Sequence, residues 1–169
     1  MKKEEAELEA ETKNRAMSAK DVYKLLCEVQ SYQGIFVPEY TFGDLRIDAI
    51  KINIGQRTVT GFEIKVAKAD FKQDKKWQLY SEFCSSLSIV CPPGLIKHEE
   101  IEGPFGLLWV GYEAQKRHSW NAQSEEWDVQ RIHSWKKKAK NLADTNMYQW
   151  LFTYIKVLEK ELPRLAFGG

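Results

Sequence analysis

The chain has 169 residues, enough for one domain with a sizeable core. Its 25 lysines and arginines nearly balance its 24 acids, so the net charge of +1 argues neither for nor against a nucleic-acid partner, and only local clustering can decide. No apolar run approaches the length of a membrane span, and the opening KKEEAELEAE lacks the apolar segment of a secretion signal, so a soluble, cytoplasmic protein without a membrane partner is expected.

Residues 1–17 are charged and nearly free of large apolar side chains, which predicts a flexible segment or a frayed, solvated helix ahead of a single domain over 18–169. Ser18 offers an N-cap with Asp21 as its partner three residues on. Val22, Leu25, Leu26 and Val29 then recur at helical spacing and predict a helix over 18–31. Ile35 to Phe42 reads as a strand in which Pro38 marks an edge or a bend. Beyond the Gly43-Asp44 turn, LRIDAIKINI (45–54) and TVTGFEIKV (58–66) read as two more strands joined at Gly55-Gln56, completing a meander.

From about Ala69 to Cys84 the pattern turns helical, with Gln73, Trp77, Tyr80 and Cys84 on one stripe. LSIV (87–90) is a short buried strand stopped by Pro92-Pro93-Gly94. Leu107 to Tyr112 and Trp127 to Ile132 read as the two arms of a hairpin. Met147, Trp150, Leu151, Tyr154, Ile155, Leu158 and Leu162 predict a closing helix over 145–162. The order α-β-β-β-α-β, then a hairpin and a helix, is an α/β domain around one mixed sheet with a helix on each face.

Cys27, Cys84 and Cys91 are an odd number without C-x-x-C spacing and read as small buried hydrophobes. His98, His118 and His133 show no ligand spacing with them, which argues against zinc.

Two charges interrupt the third strand. Glu63 and Lys65 are two apart and point to one face, while Phe62, Ile64 and Val66 point to the other. Pairing through the Gly55 turn sets Asp48 opposite Glu63, so two carboxylates share one spot on the sheet. Left alone they repel, and one is forced to hold a proton. A divalent cation resolves the conflict: Asp48, Glu63 and the Ile64 backbone carbonyl are hard oxygen donors that suit Mg²⁺ or Mn²⁺. Lys65 beside them can orient a water or neutralise charge developing at phosphorus. The same spacing also fits a plain ion pair, Glu63–Lys65 or Asp48–Lys65, on an exposed sheet face.

Asp48 followed by Glu63-Ile64-Lys65 resembles the motif of the PD-(D/E)XK nuclease superfamily, and the α-β-β-β-α-β order matches that superfamily's core. The longer run RIDAIKI…VTGFEIKVAKADFKQDKKWQLYSEFCSSLSIVCPPGLI resembles the MmcB-like DNA repair endonucleases and their phage and prophage relatives. There an E-(I/V)-K strand leads into a "DF…D.KW..Y" helix; Asp70-Phe71, Asp74, Lys76-Trp77 and Tyr80 match it here, over about residues 18–135. The resemblance implies a restriction-endonuclease-like fold and a Mg²⁺-dependent deoxyribonuclease of repair or phage DNA processing, with Asp48, Glu63 and Lys65 as its catalytic residues; many members form homodimers. Ile47 stands where the eponymous motif has proline. An acid on the first helix is common in the superfamily, and Asp21 and Glu28, or Glu39 on the first strand, are the candidates. Gln73 and Trp77 are a loose echo of the Q-x-x-x-Y pattern of one branch.

Lys68, Lys72, Lys75 and Lys76 fall on one face of the helix expected after Lys65, where they suit phosphates or form a solvated face paired with Asp70 and Asp74. Arg131, Lys136, Lys137, Lys138 and Lys140 form a second cluster, either part of the same groove or a surface tail. Trp77, Trp109 and Trp150 read as core, while Trp120, Trp127 and Trp135 lie in polar surroundings that suit a partner surface. Three functions fit: a nuclease, a non-cleaving nucleic-acid-binding module on the same fold, and a regulatory partner that docks through its aromatic C-terminal half.

Overall fold

A computed structural model of the chain describes residues 1–30, 34–74, 76–117, 126–140, 142 and 153–160. Helices α1 (Lys3–Arg15) and α2 (Ala19–Gln30) precede strands β1 (Ile35–Phe42), β2 (Leu45–Asn53) and β3 (Thr58–Ile64). Helix α3 (Lys68–Gln73) and a 3₁₀ helix (Lys76–Glu82) lead to β4 (Ser86–Cys91). A further 3₁₀ turn (His98–Glu100) precedes β5 (Gly106–Lys116) and β6 (Trp127–Lys137). A last helical stretch covers 153–160.

The strands form one six-stranded sheet in sequence order. β1–β2–β3 is the antiparallel meander, β3, β4 and β5 run parallel, and β6 returns antiparallel to β5. Ala49 pairs with Phe62 and Asn53 with Thr58, the register the Gly55 turn predicts. The turn itself is wider than two residues. Asn53 Oδ1 accepts the Gln56 amide at 2.9 Å, and the left-handed residue is Arg57, at φ 53°, rather than the glycine.

Each face of the sheet has its own apolar layer, because side chains alternate along a strand. On one face, Val22 and Leu26 of α2 pack with Ala49, Phe62, Ile64, Val90 and Leu108. Ser18 and Asp21 cap that helix reciprocally, with the Ser18 amide and hydroxyl both donating to Asp21 Oδ2, at 2.9 and 2.6 Å. On the other face, Trp77 and Tyr80 of the 3₁₀ helix and Val157 of the last helix cover Ile50, Ile52, Val59, Leu87 and Ile89. Cys84 and Cys91 are buried free thiols. No helix among the described residues is long and apolar enough to cross a membrane.

Residues 1–17 depart from the expected flexible or solvated segment. Ala6 and Ala10 of α1 are buried, and the helix packs along β5 and β6. β4 pairs with β5 only as far as Cys91 and Trp109. Beyond that point Asn14 takes the place of a strand: its amide donates to the Tyr112 carbonyl and its Oδ1 accepts the Tyr112 amide, both at 2.8 Å. Gly111 makes room for this, since a Cβ there would lie 2.5 Å from Asn14 Oδ1. The small size of the buried residues explains why hydropathy alone conceals the packing face.

The long helix expected over 69–84 is two short ones. Asp74 leaves the helical region (ψ 113°), and its Oδ1 accepts the Lys76 amide at 2.9 Å, an aspartate starting a new turn rather than continuing the old one. Lys68, Lys72 and Lys76 are therefore not three points on one helix face, and Lys75 lies outside the described residues. At the chain's end, 153–160 is helical as expected. Met147, Trp150, Leu151 and Leu162 lie outside the described residues, as do His118 and Trp120.

Candidate active site

The site begins with a change of face in β1 and β2. Val37, Ile50 and Ile52 point into the layer under the 3₁₀ helix, and so do Tyr40, Phe42 and Ile47 at the hairpin tip. Strict alternation would send the two groups to opposite faces, so each strand must slip one position between them. The slip falls at Glu39 and Asp48. Glu39 has a left-handed backbone, φ 46°, unusual for a non-glycine residue and placed just after Pro38 on an edge strand. The β2–β3 ladder ends at Ala49 and Phe62, one step short of the expected Asp48–Glu63 pair. In place of that backbone pairing, Asp48 Oδ2 accepts the Ile64 amide at 2.7 Å. The splay holds a carboxylate against the C-terminal end of β3.

Glu63 and Lys65 lie on the face toward the 3₁₀ helix and are 6% and 7% exposed, which rules out the solvated pair on an open sheet face. Lys65 Nζ donates to Glu63 Oε1 at 3.1 Å and to Asp74 Oδ2 at 2.5 Å. Glu63 Oε2 is buried without a hydrogen-bond partner. Burial, then the neighbouring Asp48 charge, push the Glu63 carboxyl up to about 7, with Lys65 only partly offsetting them. Burial also raises Asp48 above the usual carboxylate range, opposed by the Ile64 amide and Lys65. Burial works against the Lys65 ammonium as well. The Asp74 hydrogen bond, together with the charge and hydrogen bond of Glu63, outweighs it and holds Lys65 above its ordinary value. Tyr80 roofs the cluster. Its hydroxyl donates to the Arg46 carbonyl at 2.5 Å, and burial followed by the charges of Glu63, Asp74 and Asp48 push it up to about 12.

The tertiary structure thus brings Asp48, Glu63 and Lys65 together and adds Asp74, absent from the set read off the sequence. Asp74 was legible as part of the D-x-K-W run and as a pairing partner for the helix lysines, not as a partner of Lys65. Its position beyond the helix end, which aims it at Lys65, follows from the helix break.

The other candidates are distributed as follows. Asp21 is committed to capping α2. Glu28 pairs with Arg131 across α2 and β6, at 2.8 Å, and both line a separate cleft that includes Lys13 and Tyr112. Glu39 alone of the three acids borders Asp48, in a cavity of about 390 Å³ that Tyr23, Pro38 and Ile64 also line. Trp77 is core, 4% exposed and in edge-to-face contact with Phe105 at 4.7 Å, while Gln73 is exposed.

Of the basic residues, Lys68 binds Glu100 and the Leu95 carbonyl, and Lys137 binds the Ile101 and Gly103 carbonyls. The connection between β4 and β5 therefore lies between the two clusters. Lys136 sits 4.4 Å over the Trp109 ring. Lys72, Lys76, Lys138 and Lys140 are exposed.

No group of three or more His, Cys, Asp or Glu side chains placed to hold a metal occurs among the described residues. The donor set expected from the sequence, Asp48, Glu63 and the Ile64 carbonyl, has a number of oxygens that suits a cation keeping several waters. The orphaned Glu63 Oε2 beside Asp48 fits such an ion or, without it, a proton.

No family model matches the sequence, and no curated protein matches it either. Among solved structures, the chain is similar to the SPO1766 protein of unknown function from Silicibacter pomeroyi, at 17% identity and a TM-score of 0.59, over 90% of this chain and 93% of that one. At that identity the likeness extends to the fold alone. That fold is a mixed α/β architecture, a six-stranded sheet flanked by helices, and it is consistent with a generic restriction-endonuclease-like arrangement.

Proposed function

We propose that the chain is a divalent-cation-dependent nuclease of the PD-(D/E)XK superfamily, akin to its MmcB-like group, that hydrolyses DNA phosphodiester bonds in repair or phage DNA processing. The observation that carries this reading is the buried Glu63 carboxylate with Oε2 unpartnered, set beside Asp48 and under the Lys65 ammonium. A carboxylate in that position is costly unless a proton or cation completes it.

Asp48, Glu63 and the Ile64 carbonyl would hold Mg²⁺ or Mn²⁺, and Asp48 is oriented by the Ile64 amide. When bound, the ion supplies Lewis-acid chemistry, acidifying water and offsetting charge at phosphorus. Lys65, fixed on two sides by Glu63 and Asp74, presents its ammonium to the non-bridging phosphate oxygens and to the attacking water. Water adds to phosphorus, the bond to the 3′-oxygen breaks, and that oxygen takes a proton, leaving a 5′-phosphate as in most of the superfamily.

The exposed Lys72 and Lys76 flank this end of the sheet and suit the phosphate backbone. The test is incubation of linear, nicked, branched and single-stranded DNA with and without Mg²⁺ or Mn²⁺, alongside Lys65→Ala and Glu63→Ala. Metal-dependent cleavage lost in both variants is the expected result; cleavage that persists in either overturns the site.

A second reading, a module that binds nucleic acid without cutting it, is favoured by one specific observation: the Lys65 ammonium is already engaged by two carboxylates. Salt-sensitive binding without cleavage of any substrate is its signature.

A further inference from the structure

The cavity between α2 and the β1–β2 hairpin opens on the side of the sheet away from Glu63 and Lys65, yet it shares Asp48 and Ile64 with the site. Its volume of about 390 Å³ falls near the lower end of the 300–1,000 Å³ typical of small-molecule clefts, room for one nucleoside and not for a duplex. The walls are apolar: Tyr23, Pro38, Ile64 and the methyl of Ala19.

Tyr23 is a backed platform. Its ring lies 5.8 Å from that of Phe36, which lies 5.9 Å from the buried Phe62, so a ladder of rings runs from the core to the cavity. Packing therefore fixes the tyrosine before any ligand arrives. Three charged residues line the cavity, Lys20, Glu39 and the shared Asp48. Glu39 lines the cavity from the slip in β1, where its φ is 46°.

We infer that this cavity is a nucleobase subsite, taking one unstacked base of a single-stranded or frayed nucleic acid whose neighbouring phosphate lies at Asp48. This rests on the nuclease or nucleic-acid-binding reading of the Asp48–Glu63–Lys65 cluster. Tyr23 stacks on the base, as aromatic side chains do in single-strand binders. Glu39 accepts a hydrogen bond from an exocyclic amine, which favours cytosine and adenine over thymine. Lys20 meets the adjoining phosphate. A duplex cannot enter without releasing a base, so the substrate is single-stranded, frayed or flipped at the scissile position.

The test does not depend on cleavage. The intact protein is titrated with dCMP, CMP, dAMP, dTMP and deoxyribose 5-phosphate, without added divalent metal, and followed by residue-resolved NMR. The expected result is perturbation of Ala19, Tyr23 and Ile64 by the amino-bearing nucleotides, weaker perturbation by dTMP and little by the base-free sugar phosphate; CMP against dCMP tells ribose from deoxyribose.

Tyr23→Ala should weaken binding of a short single-stranded oligonucleotide by about 5- to 150-fold, the range of one stacked base, with duplex binding unchanged. Because Tyr23 also packs on Phe36, Ala19→Leu on the exposed first turn of α2 is the second variant. It fills the cavity and should reproduce the loss in a folded protein. Equal perturbation by deoxyribose 5-phosphate, or unaltered oligonucleotide affinity in folded Ala19→Leu, overturns the subsite. Nucleotide binding in a protein that cuts no DNA leaves the subsite standing and removes the nuclease reading. Cleavage with no response at these residues does the reverse.

Discussion

Oδ2 of Asp74 lies 2.5 Å from the Lys65 ammonium, closer than the 3.1 Å separating that ammonium from its strand neighbour Glu63. Asp74 is itself held by the Lys76 amide, at 2.9 Å. The lysine is thus aimed from outside its own strand, by the residue that breaks the following helix. Asp74→Ala should lower stability by about 1–3 kcal/mol, because it strips a nearly buried ammonium of its tightest partner. Denaturant midpoints at unchanged slope would measure the loss. If Lys65 acts on the phosphate, Asp74→Asn should reduce kcat by up to about 10²-fold with KM little altered, and Asp74→Glu should restore part of it. A change in KM alone would mean that Asp74 serves substrate binding and not the positioning of Lys65 for the reaction.

Glu63 sets a pH dependence of unusual sign. Its carboxyl is raised from 4.5 to about 7 on folding, so between those values the folded chain holds a proton that the unfolded chain has lost. Its contribution to stability is complete below about 4.5 and declines as pH rises through about 7. The loss is on the order of 3 kcal/mol at alkaline pH. Glu63→Gln should therefore match the parent at pH 5 and exceed it in stability at pH 8.5, read from denaturation curves at both pH values. Parallel curves would show that Glu63 is not held protonated. Asp74 works the other way. Its carboxyl is lowered, because the Lys65 and Lys76 hydrogen bonds outweigh burial, so its contribution is present above the ordinary aspartate value and lost as pH falls through the lowered one.

Divalent cations should reverse the Glu63 penalty. At pH 8, Mg²⁺ or Mn²⁺ at ten times its dissociation constant should stabilise the chain by about 1.4 kcal/mol through mass action alone. Asp48→Asn and Glu63→Gln should each abolish the thermal shift, while Glu28→Gln should leave it intact, since Glu28 is paired with Arg131 elsewhere. A shift that survives both site substitutions would place the ion at another location.

Gly61 should tolerate no side chain. A Cβ there would lie 2.7 Å from Ile47 Cδ1, and 2.8 Å from both Cys84 Sγ and Leu87 Cδ1, directly beneath the strand that carries Glu63. Gly61→Ala should cost about 1–3 kcal/mol by overpacking. It should also weaken the metal-induced thermal shift as β3 is displaced, and an unchanged melting temperature would mean the layer yields more easily than its packing implies.

The chain alone specified the meander, the reciprocal Ser18–Asp21 cap and the β2–β3 register as far as Ala49 and Phe62. These depend on alternation, helical spacing and turn residues, all local in sequence. Short range also misled: residues 69–84 have helical spacing throughout, yet an Asp74 carboxylate engaged by Lys65 and the Lys76 amide ends the helix early. Residues 1–17 look solvated because α1 buries only alanines and one asparagine bonded to a strand.

Only the tertiary structure decided which acid borders Asp48, Glu39 rather than Asp21 or Glu28. It alone buried Glu63 and Lys65 instead of leaving them on an open face. The physical reason is common to both. A charge's partners and solvation are set by elements distant in the chain, and neither spacing nor composition records which of them the fold will bring near.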